Sequence, residues 1–216
     1  MNAVTDNLGL FGTGVLTTLQ ISLIAGVGAF VLGTIMAGFR VSPAPPLQWV
    51  GSAWVTVLRN TPLSVVLFTI AFGLPEIGVN ASFFAFGVTG LALYTSAFVC
   101  EAIRSGINSV SAGQAEAARS VGLTFSQTLS LVVLPQAFRT VVPPLGNVFI
   151  AMLKNSAIVG AVGVGGELFS LGVQLTGAGG LATIPVFTGV ALGYLVLTIP
   201  AGLLLGLLER KAAIAR

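Results

Sequence analysis

Long apolar runs, broken at intervals by proline and by small clusters of charge, set the plan of this chain. Residues 7–39, 77–100 and 168–208 carry no charged side chain, and each exceeds the roughly 18–20 residues that a helix needs to cross the hydrocarbon core of a bilayer. The pattern predicts five membrane-spanning helices, over about residues 13–39, 52–73, 82–103, 144–164 and 185–208. The first run has no basic residue ahead of it and Arg40 behind it. A cleavable signal peptide has positive charge in front of a shorter apolar core, so this run reads as a retained span. Ser42-Pro-Ala-Pro-Pro46 breaks the helix into a short turn. Arg59 falls inside the second stretch and leaves its start open between Trp49 and Arg59. Lys154 sits in the middle of the fourth, and a glycine-rich loop over residues 165–182 precedes the fifth. Within that last span, Gly189-x-x-x-Gly193 and Gly202-x-x-x-Gly206 suit ordinary close helix packing.

Composition places the chain in the bilayer. Of 216 residues, 55% are hydrophobic and 7% charged, against about a quarter charged in soluble proteins, too few to coat a globule of this size. The expected class is an all-α integral membrane protein of the plasma membrane, multi-pass, with one domain over residues 1–216. Basic residues orient it. With the N-terminus outside, Arg40, Arg104, Arg119, Arg139, Arg210, Lys211 and Arg216 fall on the inner side, and the outer segments hold only Asp6, Glu76 and Glu167. Five spans then leave the C-terminus cytoplasmic. The net charge of +3 reflects this inner-face bias and does not indicate a nucleic-acid partner.

Several chemistries are excluded by counting. There is no histidine and one cysteine, Cys100, so there is no imidazole base for a catalytic triad, no intrachain disulfide, and no Cys- or His-rich metal site. Lys154 and Lys211 follow Leu153 and Arg210 rather than glycine, so no phosphate-binding P-loop exists. The chain is therefore expected to be no enzyme and to hold no metal or cofactor of its own. An odd number of spans also cannot be divided into two equal inverted halves, as in many ion-coupled carriers.

The polar stretch between the third and fourth spans, residues 109–135, holds two S/T-x-x-E/Q signatures, Ser111 with Gln114 and Thr124 with Gln127. Each predicts the capped start of a helix. Gly122 lies where the first must stop, and Pro135 is expected to close the second. Glu116 and Arg119, spaced i, i+3, suit a weak pair of about 0.2–0.5 kcal/mol. With little but Ala115, Ala117 and Ala118 on offer, so small a helix cannot be held by burying its own face. It either docks into something or rests on the headgroups.

This stretch resembles the EAA loop of the membrane subunits of ATP-binding-cassette (ABC) importers: Glu116-Ala117-Ala118, then Gly122, then Val132-x-Leu134-Pro135 stand at that family's spacing, with Val in place of its Ile. The resemblance covers nearly the whole chain and is narrower than the superfamily. Arg59-Asn-Thr-Pro62-Leu63 and Lys154-Asn155-Ser156 followed by Gly163-Val164 look like the second- and fourth-span motifs of polar amino-acid uptake permeases. Tyr94-Thr-Ser-Ala-Phe98 and Arg104-Ser-Gly-Ile-Asn108 most resemble the glutamate-uptake permeases of actinobacteria. The resemblance implies a type I ABC importer transmembrane domain. It implies an ABC ATPase subunit that binds the ATP, a second permease subunit that is either a homologous partner or another copy, and an extracellular substrate-binding protein. It makes Glu116, Ala117, Ala118 and Gly122 the ATPase-coupling residues, flanked by Gln114 and Arg119. The substrate it implies is L-glutamate, with glutamine, arginine and histidine as alternatives. An autonomous channel or ion-coupled carrier would want intramembrane carboxylates, a filter sequence or repeated halves.

Charged groups inside the membrane are the other candidates. Lysine at mid-span costs about 2.5–3.5 kcal/mol and faces a cavity or a partner. Lys154 thus suits a substrate carboxylate, an acid of the second permease subunit, or snorkelling. Asn147, seven residues earlier, shares its helix face, whereas Asn155 points about 100° away. Glu167 could receive a substrate amino group or be an exposed outer-loop carboxylate. Glu101 with Arg104 reads as a structural ion pair, and Arg59 as either an interface anchor or a lining of the substrate pathway.

Overall fold

The computed structural model describes residues 2–213; Arg216, one of the cations assigned above to the inner side, lies outside them. After a short helical turn at Asn2–Thr5 the chain forms α1 (Leu8–Val41), α2 (Pro45–Asn60), α3 (Leu63–Glu76), α4 (Phe83–Asn108), α5 (Ala112–Ser120), α6 (Phe125–Ala161), α7 (Leu168–Gly177) and α8 (Thr183–Ala213). Among the described residues, α1, α4, α6 and α8 are long and apolar enough to cross a membrane unbroken. α2 and α3 pass the same test only as a pair bent by 105°. A straight second span over 52–73 is therefore not what forms. Thr61 is extended (φ −100°, ψ 131°), the conformation that the following Pro62 imposes, and the helix direction changes there.

Two further expectations are corrected. Pro135 does not end a helix: α6 runs without a break from Phe125 through Pro135, Pro143 and Pro144, so the fourth span is continuous with the segment that precedes it. A proline in a helix interior loses one hydrogen bond and crowds the carbonyl four residues earlier. Immediately ahead of Leu134-Pro135 the helix widens into a π turn at Thr128–Val133, and another π turn at Thr69–Gly73 precedes Leu74-Pro75. The wider turn makes room for the proline ring, and both helices continue past it. Residues 165–182 are likewise not all loop, because α7 occupies Leu168–Gly177.

Packing of α1 on α4 uses small residues. Ala25, Ala29, Gly33 and Ala37 are buried at every fourth position of α1, one stripe on one face. A Cβ on Gly33 would stand 2.6 Å from the Val99 side chain and 2.7 Å from the Ser96 carbonyl, so the two backbones touch there as apposed membrane helices do. The main core draws Ile21 from α1, Leu63, Leu67 and Ile70 from α3, Leu91 from α4 and Val159 from α6. A second cluster, Phe11, Leu168, Leu171, Val186 and Val190, fastens α7 and α8 to the start of α1. In α8, Gly189 and Gly193 pack on Phe11 and Leu168, whereas Gly202 and Gly206 meet nothing within 4 Å. Leu23, Val27, Leu195, Leu203 and Leu207 are exposed on the outside of the bundle. Water would penalise each of them, but lipid tails are as apolar as leucine.

Candidate coupling surface and transport cavity

α5 begins after Ser111, whose side chain makes no capping bond, so the first of the two expected capping boxes does not form. The second does. The Gln127 N–H donates to Thr124 Oγ1 (3.3 Å) and the Thr124 N–H donates to Gln127 Oε1 (2.9 Å), which fixes the start of α6. Between the helices Gly122 has φ 91°, a left-handed position that favours glycine at a helix end. Its N–H donates to the Arg119 carbonyl (3.0 Å) and the Leu123 N–H to the Ala118 carbonyl (3.2 Å).

The resulting hairpin packs α5 onto the π turn of α6 with Ala118 as the one buried residue of α5. Gln114, Glu116, Ala117 and Arg119 all lie exposed. Glu116 and Arg119 do not pair, since the ion pairs among the described residues all converge on Glu101. At the corner Val121 is 79% exposed and Phe125 64%. A nine-residue helix with one small buried side chain gains little from its own packing, so its outer face is free to be covered by another protein.

Between α4 and α6 lies a cavity of about 370 Å³, its walls including Tyr94, Thr95 and Phe98 on one side and Asn147, Ala151 and Asn155 on the other. The four-residue spacing places Asn147, Ala151 and Asn155 on one face. Both asparagines therefore share a wall, and Lys154 is absent from it. Lys154 is exposed and enters none of the ion pairs among the described residues. It stands seven residues before the end of its helix at Ala161, about 10 Å at 1.5 Å per residue. The Tyr94 and Phe98 rings lie 5.1 Å apart. Amides and hydroxyls on an aromatic floor offer both donors and acceptors to a small polar solute.

Residues 29–214 match the family described as binding-protein-dependent transport system inner membrane component. The chain belongs to this family. The probable glutamine ABC transporter permease protein GlnM of Bacillus subtilis is 45% identical over 206 residues, 95% of this chain and 94% of GlnM. The glutamate transport system permease protein GluC of Corynebacterium efficiens is 39% identical over 211 residues, 92% of each. Among solved structures, a crystal structure of an amino acid ABC transporter with histidines aligns at TM-score 0.89 and 36% identity, covering 96% of both chains. The protein is thus a polar amino-acid ABC importer permease, a multi-pass inner-membrane subunit whose family works as a transport component rather than an enzyme.

Two charged clusters of the permease are set by tertiary contacts. Glu101 pairs with Arg104 within α4, through Arg104 Nε at 3.1 Å, and also with Arg40 from α1. Arg59, at the end of α2, stands 3.7 Å from the same carboxylate and 5.4 Å above the Phe98 ring. Arg59 is therefore tied to α4 rather than being a lone anchor.

Glu167 is fully buried, so the exposed outer-loop reading is wrong. It is the N-cap of α7, where Oε2 accepts from the Phe169 N–H (2.7 Å) and Ser170 N–H (3.4 Å). Oε1 accepts from Thr18 (3.1 Å), Ser156 (3.5 Å) and the Tyr194 hydroxyl. Glu167 thus joins α1, α6, α7 and α8 at one buried carboxylate.

Sequence reasoning missed Tyr94, Thr95 and Phe98 as cavity residues. Their signal was the i, i+4 aromatic spacing on a span otherwise rich in small side chains. Nothing in the local sequence links Glu167 to Thr18 or Tyr194.

Proposed function

We propose that this permease subunit imports L-glutamate or L-glutamine by alternating access, driven by ATP that a separate ATPase subunit binds and hydrolyses. The observation that carries the reading is helix α5, which exposes Glu116 and Ala117, seats Ala118 against α6 and ends at the left-handed Gly122 corner, joined by residues 109–111 to the helix α4 that forms one wall of the cavity. Gln114, Glu116, Ala117, Arg119 and Gly122 present the surface that the ATPase grips. Motion of α5 then reaches Tyr94 and Phe98 through α4, and Asn147 and Asn155 through α6.

In this reading the N-terminus is extracellular, and Arg40, Arg104, Arg119, Arg139, Arg210 and Lys211 mark the cytoplasmic side. Arg139 stands 22 residues before Ala161, about 33 Å, which matches one hydrocarbon thickness. Asn147 and Asn155 hold the solute's polar groups. Lys154, one helix face away and exposed, is assigned to the seam with a second permease subunit, where it meets a substrate carboxylate or a partner acid. The extracellular binding protein delivers the amino acid. GlnM and GluC are named for glutamine and glutamate respectively, and the uncharged cavity wall accommodates an amide side chain as readily as a carboxylate.

The test is uptake of radiolabelled glutamate and glutamine into vesicles holding the permease, its ATPase and its binding protein. Asn155→Ala should lower uptake by about 10-fold, the loss of roughly 1.4 kcal/mol of hydrogen bonding. Uptake unchanged in both Asn155→Ala and Asn147→Ala would remove the cavity from the pathway, and unchanged uptake in Lys154→Ala would remove the lysine.

A further inference from the structure

We infer that Glu101 is the joint through which the coupling helix governs the bend in the second span, a positioning residue that neither the substrate nor the ATPase touches. The inference deepens the transport reading above and rests on it.

The geometry is a chain of short links. α5 is tied to the end of α4 by residues 109–111. That end is fastened to α6, where the Ser109 and Thr140 hydroxyls lie 2.9 Å apart and Thr140 also donates to the Gly106 carbonyl (3.4 Å). Two helical turns earlier on α4, Glu101 receives guanidinium groups from three elements: Arg104 from α4 itself, Arg40 from the last turn of α1, and Arg59 from the last turn of α2. Arg59 is the last charged residue before the 105° bend into α3. A displacement of α5 thus moves α4, and α4 carries the carboxylate that holds the bend.

The carboxylate is also oversubscribed. Its Oε1 is taken by Arg104 and its Oε2 by Arg40, both in direct hydrogen bonds. Arg59 reaches Oε2 only at 3.7 Å and is 43% exposed, against 19% for Arg40 and 31% for Arg104. Three cations around one anion leave the third loosely bound, and among the described residues no other carboxylate pairs with it. Arg59 is therefore the member that exchanges. It rests at once on the Glu101 carboxylate and on the Phe98 ring, both carried by α4, and Phe98 lines the cavity, so release of Arg59 from Glu101 also changes what supports the cavity's floor. Movement of α5 and occupancy of the cavity then act on the same contact, the condition that coupling requires.

The experiment uses the full importer in vesicles, reading ATP hydrolysed and amino acid imported on the same preparation. Glu101→Gln keeps shape and hydrogen-bonding oxygen but removes the charge. The expected result is import lowered about 10-fold while hydrolysis holds at the wild-type rate, so that ATP consumed per amino acid rises about 10-fold. A merely structural role would lower both activities together and leave their ratio unchanged, which would overturn the proposal, as would import within about twofold of wild type. If Glu101→Gln does not assemble, Arg59→Gln, which leaves the Arg40–Glu101–Arg104 core intact, is the deciding variant. It must raise the same ratio, and an unchanged ratio overturns the joint. Absence of substrate-stimulated hydrolysis in the wild-type assembly would instead defeat the importer reading, and the joint with it.

Discussion

Replacing Glu167 by alanine strips the acceptor from five donors at once, and the structure allows the cost to be apportioned. The backbone N–H groups of Phe169 and Ser170 cannot turn elsewhere, because they are first-turn donors of α7 with no intrahelical acceptor. Ser156 can fall back on the Leu153 carbonyl, which it already reaches at 2.8 Å. The Tyr194 hydroxyl loses the carboxylate that accepts its proton. Two amides and a phenol left buried and unpaired, at about 1–3 kcal/mol each with partial relaxation, give a destabilisation of about 4 kcal/mol. For a chain of this length that corresponds to a midpoint lower by roughly 10 °C.

Glu167→Gln is the informative companion. Its carbonyl oxygen can take both backbone N–H groups, and its two NH₂ protons can donate to two of the Thr18, Ser156 and Tyr194 oxygens, whose own protons must find other acceptors, so the expected loss is about 2 kcal/mol. The assay is thermal unfolding of the permease in detergent or nanodiscs, followed by intrinsic fluorescence. Glu167→Ala melting within about 2 °C of wild type, or Glu167→Gln falling as far as Glu167→Ala, would refute the donor accounting.

Three further outcomes can be checked. Gly122→Ala meets no steric obstacle, since nothing lies within 4 Å of a Cβ there. Its cost is the left-handed backbone alone, about 1–2 kcal/mol, and it should weaken capture of the ATPase subunit while leaving membrane insertion intact. Glu116→Arg should do the same through charge reversal on the exposed face of α5, with co-purification as the measurement. Gly33→Leu must push α1 off the Val99 side chain and the Ser96 carbonyl; overpacking of about 1–3 kcal/mol should appear as a lower melting midpoint, and an unchanged midpoint would mean that the two helices are not apposed there.

Much of this protein is written in its one-dimensional pattern. Apolar run lengths are a solvent requirement, because a helix in hydrocarbon must satisfy its own backbone and carry side chains that tolerate lipid. The membrane class and the apolar helices were therefore legible before any coordinates. The hairpin around Gly122 was legible for a similar reason, since a left-handed residue and a side-chain cap act within four or five residues.

What the tertiary structure alone decided involves partners distant in sequence. Proline rules predicted a stop at Pro135, yet a π turn lets α6 carry on to Ala161; whether a helix breaks or widens depends on what packs against the turn. Local reading left Glu167 on the surface, but Thr18, 149 positions away, and Tyr194 enclose it. Lys154 and Asn155 are neighbours in the chain yet face different surroundings, because 100° of helix rotation acquires meaning only once α4 is in place. A carboxylate's role is set by the donors that surround it, and those are assembled by folding rather than by proximity along the chain.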